Sequence, residues 1–251
     1  MKKFGPDFYN ITDLLTDEEL LIQKTAHEFV QTEFMPVINE HYENATFPME
    51  LVPKLGELGF MGSALPEESG GAGVSNVAYG LILHELERGD SGLRSFASVQ
   101  GALVMYPIHA YGSDEQKAKW LPELGAGTKI GCFGLTEPNY GSNPGGMATR
   151  CKRDGDDWII NGNKMWITNG PDADVLVIYA RTEPDSGPHG ITAFIVERSY
   201  KGFHASPKLD KLGMRGSNTS ELVFEDCEVP EENVLGPANA GVSVLMSGLD
   251  Y

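Results

Sequence analysis

A chain of 251 residues that is 41% hydrophobic can bury a sizeable core and is long enough for one large or two ordinary domains. Its 36 acidic residues against 19 basic ones give a formal net charge of -17, which disfavours generic binding to nucleic acid or to anionic membranes. No apolar run approaches the ~20 residues needed to span a bilayer, so membrane insertion is not expected.

The first half of the chain carries helix signals. Two capping boxes, a Ser or Thr followed three residues later by Glu or Gln, predict helix starts at Thr16 and Ser113, and Gly127 ends the second of these helices. Pro48 is a favoured first residue of another helix, for which Gly59 is the stop. Two further helices are predicted at Val74–Arg88 and Ser95–Tyr111.

Beyond Ile130 the sequence takes on the character of strands. Two β-rich runs, Asp157–Ile160 and Lys164–Thr168, flank Asn161-Gly162-Asn163, which predicts a hairpin turn between them. Further strands are predicted at Val175–Ala180, Ile191–Val196 and Glu221–Glu225, and a new helix from about Ala238 to Leu249.

Helices followed by strands indicate an α+β chain, in which an N-terminal all-helical domain precedes a small β-sheet domain, rather than an alternating α/β chain. The expected boundaries are 1–130 for the helical domain, 131–237 for the β domain and 238–251 for the start of a truncated C-terminal helical domain.

The cysteines and histidines suggest no metal or disulfide chemistry. Cys132, Cys151 and Cys227 lie far apart without a Cys-x-x-Cys pair, so neither a disulfide framework nor a zinc site is predicted, and a reducing compartment fits. The six His residues show no metal-ligand spacing. The N-terminal sequence Met1-Lys2-Lys3 is followed by acidic residues and no transit peptide is visible.

A polar loop and an aromatic strand stand out in the second half. The loop is Phe133-Gly134-Leu135-Thr136-Glu137-Pro138-Asn139-Tyr140-Gly141-Ser142, whose small residues let backbone amides approach a ligand and whose Thr136 offers a hydroxyl. The strand is Trp166-Ile167-Thr168, in which Trp166 presents a flat apolar face and Thr168 a second hydroxyl. Such a pair suits a flat cofactor with polar edges.

These two segments resemble, in order and spacing, the two flavin signatures of the acyl-CoA dehydrogenase family, and the resemblance extends over nearly the whole chain. It implies that FAD is bound by Phe133 to Ser142 and by Trp166 to Thr168, and that Ser142 also touches the acyl-CoA. One departure is Asn143, because many members of the family have Asp after this Ser. One negative charge near the cofactor is therefore missing.

The likeness divides into two parts. Residues 1–168 resemble glutaryl-CoA dehydrogenase, in which the Arg at the position of Arg94 pairs with the free carboxylate of the glutaryl chain, assisted by the Ser at the position of Ser95. A guanidinium suits this task because its planar fork binds a carboxylate bidentately and keeps its charge. Residues 169–251 resemble isovaleryl-CoA dehydrogenase, and Asp250 lies in the segment that contacts the acyl chain in that group. A recombined gene, a chimera or a relative outside both groups would each produce this pattern.

The resemblance implies FAD-dependent α,β-dehydrogenation of a short-chain acyl-CoA, with glutaryl-CoA and its decarboxylation to crotonyl-CoA favoured. The family takes its catalytic base from a Glu of the C-terminal helical domain, at either of two places, and neither lies within these 251 residues. No catalytic residue is therefore assigned, and this chain alone is expected to be inactive. The alternatives are an isovaleryl or branched short-chain acyl-CoA dehydrogenase and a non-catalytic fragment that binds flavin or acyl-CoA.

The same resemblance implies an acyl-CoA substrate, an electron-transfer flavoprotein as acceptor and a homotetramer. The protein would lie in the cytoplasm of a bacterium or in the mitochondrial matrix of a eukaryote. Two other sequence features are given non-catalytic interpretations. Gly70-Gly71-Ala72-Gly73 lacks the preceding strand of a dinucleotide loop and is interpreted as a turn. For the basic cluster Lys208, Lys211 and Arg215, a solvated or intersubunit role is favoured over binding of CoA phosphates.

Overall fold

The computed structural model describes residues 7–250, without the side chain of Asp250. Its α-helices are α1 (Asp17–Phe29), α2 (Ile38–Asn44), α3 (Val52–Glu57), α4 (Asn76–Gly89), α5 (Ser91–Ser98), α6 (Tyr106–Tyr111), α7 (Asp114–Gly125) and α8 (Gly241–Asp250). Two π-helical segments continue α1 and join α5 to α6, at Val30–Phe34 and Val99–Met105.

The predicted capping boxes are confirmed. The Thr16 side chain accepts from the amide of Glu19, whose carboxylate accepts from the amide of Thr16, and Ser113 and Gln116 repeat the arrangement. The helix predicted after Pro48 begins instead with a 3-10 turn, Met49–Leu51, and only then continues as α3. The last predicted helix is also present, as α8.

The strands are β1 (Gly131–Gly134), β2 (Arg150–Asp154), β3 (Asp157–Thr168), β4 (Val175–Arg181), β5 (Ile191–Glu197), β6 (Phe203–Ala205), β7 (Thr219–Pro230) and β8 (Val234–Leu235). They form one mixed sheet in the order β6-β7-β3-β2-β4-β5-β8, and β1 pairs in parallel with β4. A helical part followed by a sheet confirms the α+β prediction.

The hairpin predicted at Asn161-Gly162-Asn163 is wrong. These residues lie inside β3, where its pairing with β7 shifts register, and the chain turns instead at Gly155 between β2 and β3. Gly162 has a φ of 149°, and a Cβ there would lie 2.5 Å from the hydroxyl oxygen of Thr149. The glycine is needed for this close approach of β3 to the backbone just before β2, rather than for a turn.

Strands β4 and β5 separate two hydrophobic cores. On one face of β4, Val175, Val177 and Tyr179 belong to the core shared with the helices. On its other face, Leu176 and Ile178 belong to a second core with residues of β3 and β7. Both faces are buried, which explains why β4 is a continuous apolar run instead of an alternating one.

Buried Gln100, on the π-helical segment after α5, joins the helices to the first strand. Its side-chain amide donates to the carbonyls of Leu124 and Lys129, at 2.9 and 2.8 Å, and its carbonyl accepts from the amide of Gly131 at 2.8 Å. All the polar groups at this junction are therefore paired, as burial requires. The contact fixes the start of β1, and hence of the loop that follows it.

The segment before β7 docks on the end of α2. Arg215 donates to the carbonyls of Tyr42 and Glu43, at 3.0 and 3.1 Å, and Lys208 donates to the carbonyl of Ala45. Lys211 donates to the carbonyl of Ser217, so all three basic residues are used within the chain. Neither interpretation of the basic cluster from sequence included this contact, because it depends on a helix end more than 150 residues away.

A buried ion pair closes the loop between β1 and β2. The Lys164 ammonium on β3 lies 2.9 Å from the Glu137 carboxylate, and the two side chains are 0% and 3% exposed. The same carboxylate accepts from the amides of Ala148 and Thr149, at 2.6 and 3.0 Å. One side chain thus ties the beginning of the loop to its end and both to β3.

The pair is charged at neutral pH. Burial raises the pKa of Glu137, but the Lys164 ammonium and hydrogen bonds from Thr149 and Ala148 outweigh this effect and hold that pKa below its usual range. Burial lowers the pKa of Lys164 to about 8, against the opposing effect of Glu137.

Replacing Lys164 by Met should leave the Glu137 carboxylate buried without a counter-ion and reduce the free energy of unfolding by about 3 to 5 kcal/mol. The double variant Lys164→Met with Glu137→Leu should be less destabilised than Lys164→Met, because no unpaired charge remains. Urea denaturation measures both. Lys201→Gln, which breaks an exposed pair with Glu228, is the control and should leave the midpoint unchanged. The single variant Glu137→Leu completes the cycle, and a destabilisation of the double variant equal to the sum of the two single ones would contradict the coupling.

Candidate functional site

Trp166 lies on a strained bulge with its indole exposed. Its φ is 64° and its side chain is 60% exposed, although the neighbouring Lys164 and Ile167 are buried. The pairing of β3 with β7 shifts register between these two neighbours. Positive φ is rare for a bulky residue and costs on the order of 1 to 3 kcal/mol. A strained backbone that presents an aromatic face to solvent indicates a binding surface.

The structure brings the polar loop and the aromatic strand together. The amide of Met165, next to Trp166, donates to the carbonyl of Thr136 at 2.7 Å. Thr168 pairs with Thr219 on β7, and both Thr136 and Thr168 are half-buried. Two predicted flavin-binding threonines therefore flank the exposed indole, on adjacent backbone segments.

Three other residues predicted to bind flavin use their side chains for the fold. Phe133 packs edge to face on Tyr179, with ring centroids 5.4 Å apart. Ile167 is buried in the core of the sheet, and Glu137 is held by Lys164. Ile167 and Glu137 are buried, so any contact of these two with a cofactor would come from the backbone. The outer part of the loop, Pro138, Asn139, Gly141 and Ser142, is exposed, and Gly134, Leu135 and Tyr140 are buried or half-buried.

Arg181, at the end of β4, fixes the second part of the same loop. Its guanidinium donates to the carbonyls of Gly145 and Met147, at 2.7 and 3.3 Å, and to that of Gly187 at 2.7 Å. It therefore holds the residues after Ser142 against the segment before β5. The sequence gives no signal for this role, because the partners are backbone carbonyls of two irregular segments.

Arg94 lies in the first turns of α5, which begins at Ser91 rather than at the predicted Ser95. Its Nε donates to Glu87 at 2.8 Å, and one terminal nitrogen donates to Ser98 over a long 3.4 Å. Hydrogen bonds from Ser91 and Arg94 hold the pKa of Glu87 below its usual range. Glu87, which the sequence analysis did not single out, thus orients Arg94 and leaves donor capacity on its terminal nitrogens.

Helix α5 meets the end of the flavin-like strand pair. A Cβ on Gly92 would lie 3.0 Å from the amide nitrogen of Ser217, just before β7. One residue on, the carbonyl of Asn218 accepts from the amide of Asn169, which follows Thr168 on β3. Ser95 on α5 is half-buried. The Asp250 side chain, predicted to contact substrate, lies outside the described residues.

The cysteines carry no activated thiol. Cys132, Cys151 and Cys227 are free and buried, and burial raises the pKa of Cys151 and Cys227 to about 12. A thiol is a nucleophile only as its thiolate. Across residues 7–250, no group of three His, Cys, Asp or Glu residues is placed to hold a metal ion. In the same part of the chain, every helix is too short or too polar to cross a membrane.

The residues around Trp166 fit a flavin. A flat isoalloxazine ring needs an apolar face and polar groups at its edge, and the indole with Thr136 and Thr168 supplies both. Asn218, beside Asn169, has a buried side-chain oxygen without a hydrogen-bond partner, although its amide donates to Asp172. A buried acceptor without a partner is rare in folded proteins. A donor from a bound group would satisfy this Asn218 oxygen.

The amino-acid sequence is similar to those of known proteins over most of its length. Residues 16–128 match the N-terminal domain of acyl-CoA dehydrogenases, and residues 132–227 match their middle domain. The mitochondrial isovaleryl-CoA dehydrogenase of Pongo abelii is 43% identical over 240 residues, which are 94% of this chain and 57% of that protein.

Two solved structures are also similar. A glutaryl-CoA dehydrogenase from Mycobacterium smegmatis in complex with FADH2 is 48% identical, with a TM-score of 0.91 over 96% of this chain and 61% of that one. A glutaryl-coenzyme A dehydrogenase in complex with glutaryl-CoA is 37% identical, with a TM-score of 0.90 over 94% and 60%. The chain thus spans about three fifths of the length of these relatives. The resemblance seen in the two flavin signatures is confirmed, and the chain belongs to the acyl-CoA dehydrogenase family.

Proposed function

We propose that this chain is the flavin- and acyl-CoA-binding part of an FAD-dependent dehydrogenase that acts on a short-chain acyl-CoA thioester, glutaryl-CoA in the first place. The observation that carries the proposal is the exposed indole of Trp166 on its strained bulge, between Thr136 and Thr168. In this proposal residues 1–130 are a helical domain, 131–237 a β domain with the flavin loop, and 238–251 the start of a further helical domain.

FAD, when bound, would serve as the acceptor of a hydride from the β carbon of the thioester. The chain's own residues would bind the flavin ring: Trp166 would cover one face, and Thr136 and Thr168 would hydrogen-bond its edge. Glu137 is not assigned as the base, because its carboxylate is buried against Lys164 and accepts two amides. By family resemblance, the Glu that removes the α proton lies outside residues 1–251.

Arg94 supports the preference for glutaryl-CoA. Its Nε is occupied by Glu87, whereas its terminal nitrogens make one long hydrogen bond, to Ser98, within residues 7–250. A guanidinium held in this way can bind a second carboxylate with a charge-assisted bond. The reaction of glutaryl-CoA would then end in loss of that carboxylate as carbon dioxide and release of crotonyl-CoA. The second candidate is isovaleryl-CoA, supported by the 43% identity to an isovaleryl-CoA dehydrogenase.

The partners and compartment follow the family. We propose an electron-transfer flavoprotein as acceptor and a homotetramer as the assembly of the full-length protein. We place the protein in the cytoplasm if it is bacterial and in the mitochondrial matrix if it is eukaryotic.

Replacing Trp166 by Gly separates flavin binding from stability. Loss of the ring should weaken FAD binding by about tenfold, since an aromatic contact contributes roughly 0.5 to 1.5 kcal/mol beyond its buried area. The free energy of unfolding should not fall, because Gly adopts a φ of 64° without strain. Flavin fluorescence titration and urea denaturation measure the two effects. Trp166→Phe should retain most FAD affinity, and Leu14→Ala, at another exposed apolar residue, all of it. Unchanged FAD affinity in Trp166→Gly would remove Trp166 from the flavin site.

Changing Arg94 to Gln should weaken binding of glutaryl-CoA about tenfold to a hundredfold, the loss of a charge-assisted bond worth roughly 1.5 to 3 kcal/mol. Butyryl-CoA, without a second carboxylate, should bind as before. Titrations of the FAD-loaded chain followed by flavin absorbance measure both dissociation constants. Arg153→Gln, the same change of charge at an exposed ion pair with Glu231, is the control. Equal losses for the two thioesters would exclude a carboxylate site at Arg94 and favour isovaleryl-CoA.

Residues 1–251 loaded with FAD should bind acyl-CoA without fast reduction of the flavin, because a positioned base contributes on the order of 10²- to 10⁴-fold. Anaerobic bleaching of flavin absorbance by glutaryl-CoA and isovaleryl-CoA measures this, in comparison with the same chain extended by a C-terminal domain of the family. Bleaching of the extended chain supports the enzyme, and its failure supports a binding fragment. Fast bleaching by residues 1–251 alone would mean that a base lies among them.

A further inference from the structure

The segment Lys208–Thr219, here called the docking segment, donates side-chain hydrogen bonds to carbonyls at the C-terminal end of helix α2. Helix α2 stops at Ala45, whose φ is 52°, and the last carbonyls of an α-helix have no partner within the helix. Arg215 and Lys208 donate to three of the carbonyls in this turn. Positive groups at a C-terminus are also favoured by the helix dipole.

The Arg215 guanidinium makes four hydrogen bonds, through all three of its nitrogens. Besides its bonds to α2, it donates to the carboxylate of Asp210 at 3.0 Å and to the carbonyl of Lys211 at 3.2 Å. The same side chain therefore holds the docking segment in its own conformation, through Asp210 and Lys211, and attaches it to α2. A planar group with five donors is required for that, and Lys cannot replace it fully.

The end of α2 is in turn packed on α5, the helix that carries Arg94. Phe47, two residues beyond Ala45, stacks on Phe96 with ring centroids 4.5 Å apart and an interplanar angle of 16°. Gly216 of the docking segment approaches the carbonyl of Thr46 in the same turn, and a Cβ on it would lie 3.5 Å from that oxygen. The docking segment thus reaches α5 through the turn after α2.

The docking segment also reaches α5 directly and continues into the flavin-like strand pair. Ser217 lies against Gly92 at the start of α5, where a Cβ would meet its amide nitrogen at 3.0 Å. Lys211 donates to the hydroxyl of Thr219 at 2.8 Å, and Thr219 pairs with Thr168. Two residues at the C-terminal end of the docking segment therefore contact the two layers: Ser217 lies against the Arg94 helix, and Thr219 pairs with the Trp166 strand.

We propose that Arg215, with Lys208, is a positioning residue that sets α5 and its Arg94 relative to the flavin strand β3. The two halves of the substrate site lie on different layers, helical for Arg94 and β for Thr168. The docking segment sets the distance between Arg94 on α5 and Thr168 on β3, and hence the length of substrate that fits between them. The specificity part of this inference rests on the proposed function, in which Arg94 binds a substrate carboxylate.

Arg215→Gln tests the inference in the FAD-loaded chain of residues 1–251. Displacement of Arg94 would weaken its charge-assisted bond to the second carboxylate, so glutaryl-CoA affinity should fall roughly tenfold, with butyryl-CoA and FAD affinities unchanged. Amide hydrogen exchange should rise in α5, Ser91–Ser98, and stay unchanged in β3. Arg215→Lys should restore part of the glutaryl-CoA affinity, and Arg153→Gln should change nothing.

Equal losses for glutaryl-CoA, butyryl-CoA and FAD would make the docking segment a general folding element and overturn the inference, as would no loss for any of them. If Arg94→Gln itself fails to distinguish the two thioesters, the proposed substrate is wrong. The exchange data then decide alone, because unchanged exchange in α5 of Arg215→Gln overturns the positioning role and a selective rise supports it. If Arg215→Gln does not fold, Lys208→Met, which removes one donor at the same helix end, replaces it in every measurement.

Discussion

The buried pair between Lys164 and Glu137 is the interaction on which the candidate site depends. A carboxylate without solvent is stable only if its acceptors are filled, and here one ammonium and two backbone amides fill them. The amides come from the far end of the loop and the ammonium from β3. The buried Glu137 carboxylate therefore joins both ends of this irregular loop to β3. Because Lys164 stands two residues before Trp166, the same bonds fix the strand at the bulge.

The strain at Trp166 is a consequence of that fixation. Lys164 and Ile167 are both held inward, by the ion pair and by the core of the sheet, and the two residues between them must absorb the change in register. Asn169, with a φ of 63°, repeats the left-handed conformation just beyond Thr168. Residues in such conformations persist only when their surroundings determine them strongly. A rigid, water-facing indole is the result, and it is suited to a flat ligand because little freedom remains to be lost on binding.

Features that depend on neighbouring residues could be predicted from the sequence, and features that depend on distant ones could not. The capping boxes at Thr16 and Ser113 are local hydrogen-bond patterns, and they are present. The hairpin prediction at Gly162 was wrong because this glycine is required by the close approach of Thr149, just before β2, rather than by a turn of its own. The two segments of the flavin motif are brought together by the fold, yet nothing in the motif distinguishes Trp166, which faces solvent, from Ile167, which fills the core. The partners of Lys164, Arg181 and Arg215 lie 27 to 173 residues away or on irregular backbone, where no periodicity reports them.

The use of basic residues limits how this acidic chain can bind a polyanion. With a net charge of -17, the overall field repels coenzyme A phosphates, so in the proposed function local donors would have to bind them. Arg215 and Lys208 already satisfy carbonyls of α2, and Arg181 those of the flavin loop. A phosphate that recruited any of them would leave buried or terminal carbonyls unpaired and would loosen the loop or helix that positions the substrate. If the proposed acyl-CoA binds, its phosphates would therefore have to use other groups, because Arg215, Lys208 and Arg181 are needed for hydrogen bonds within the fold.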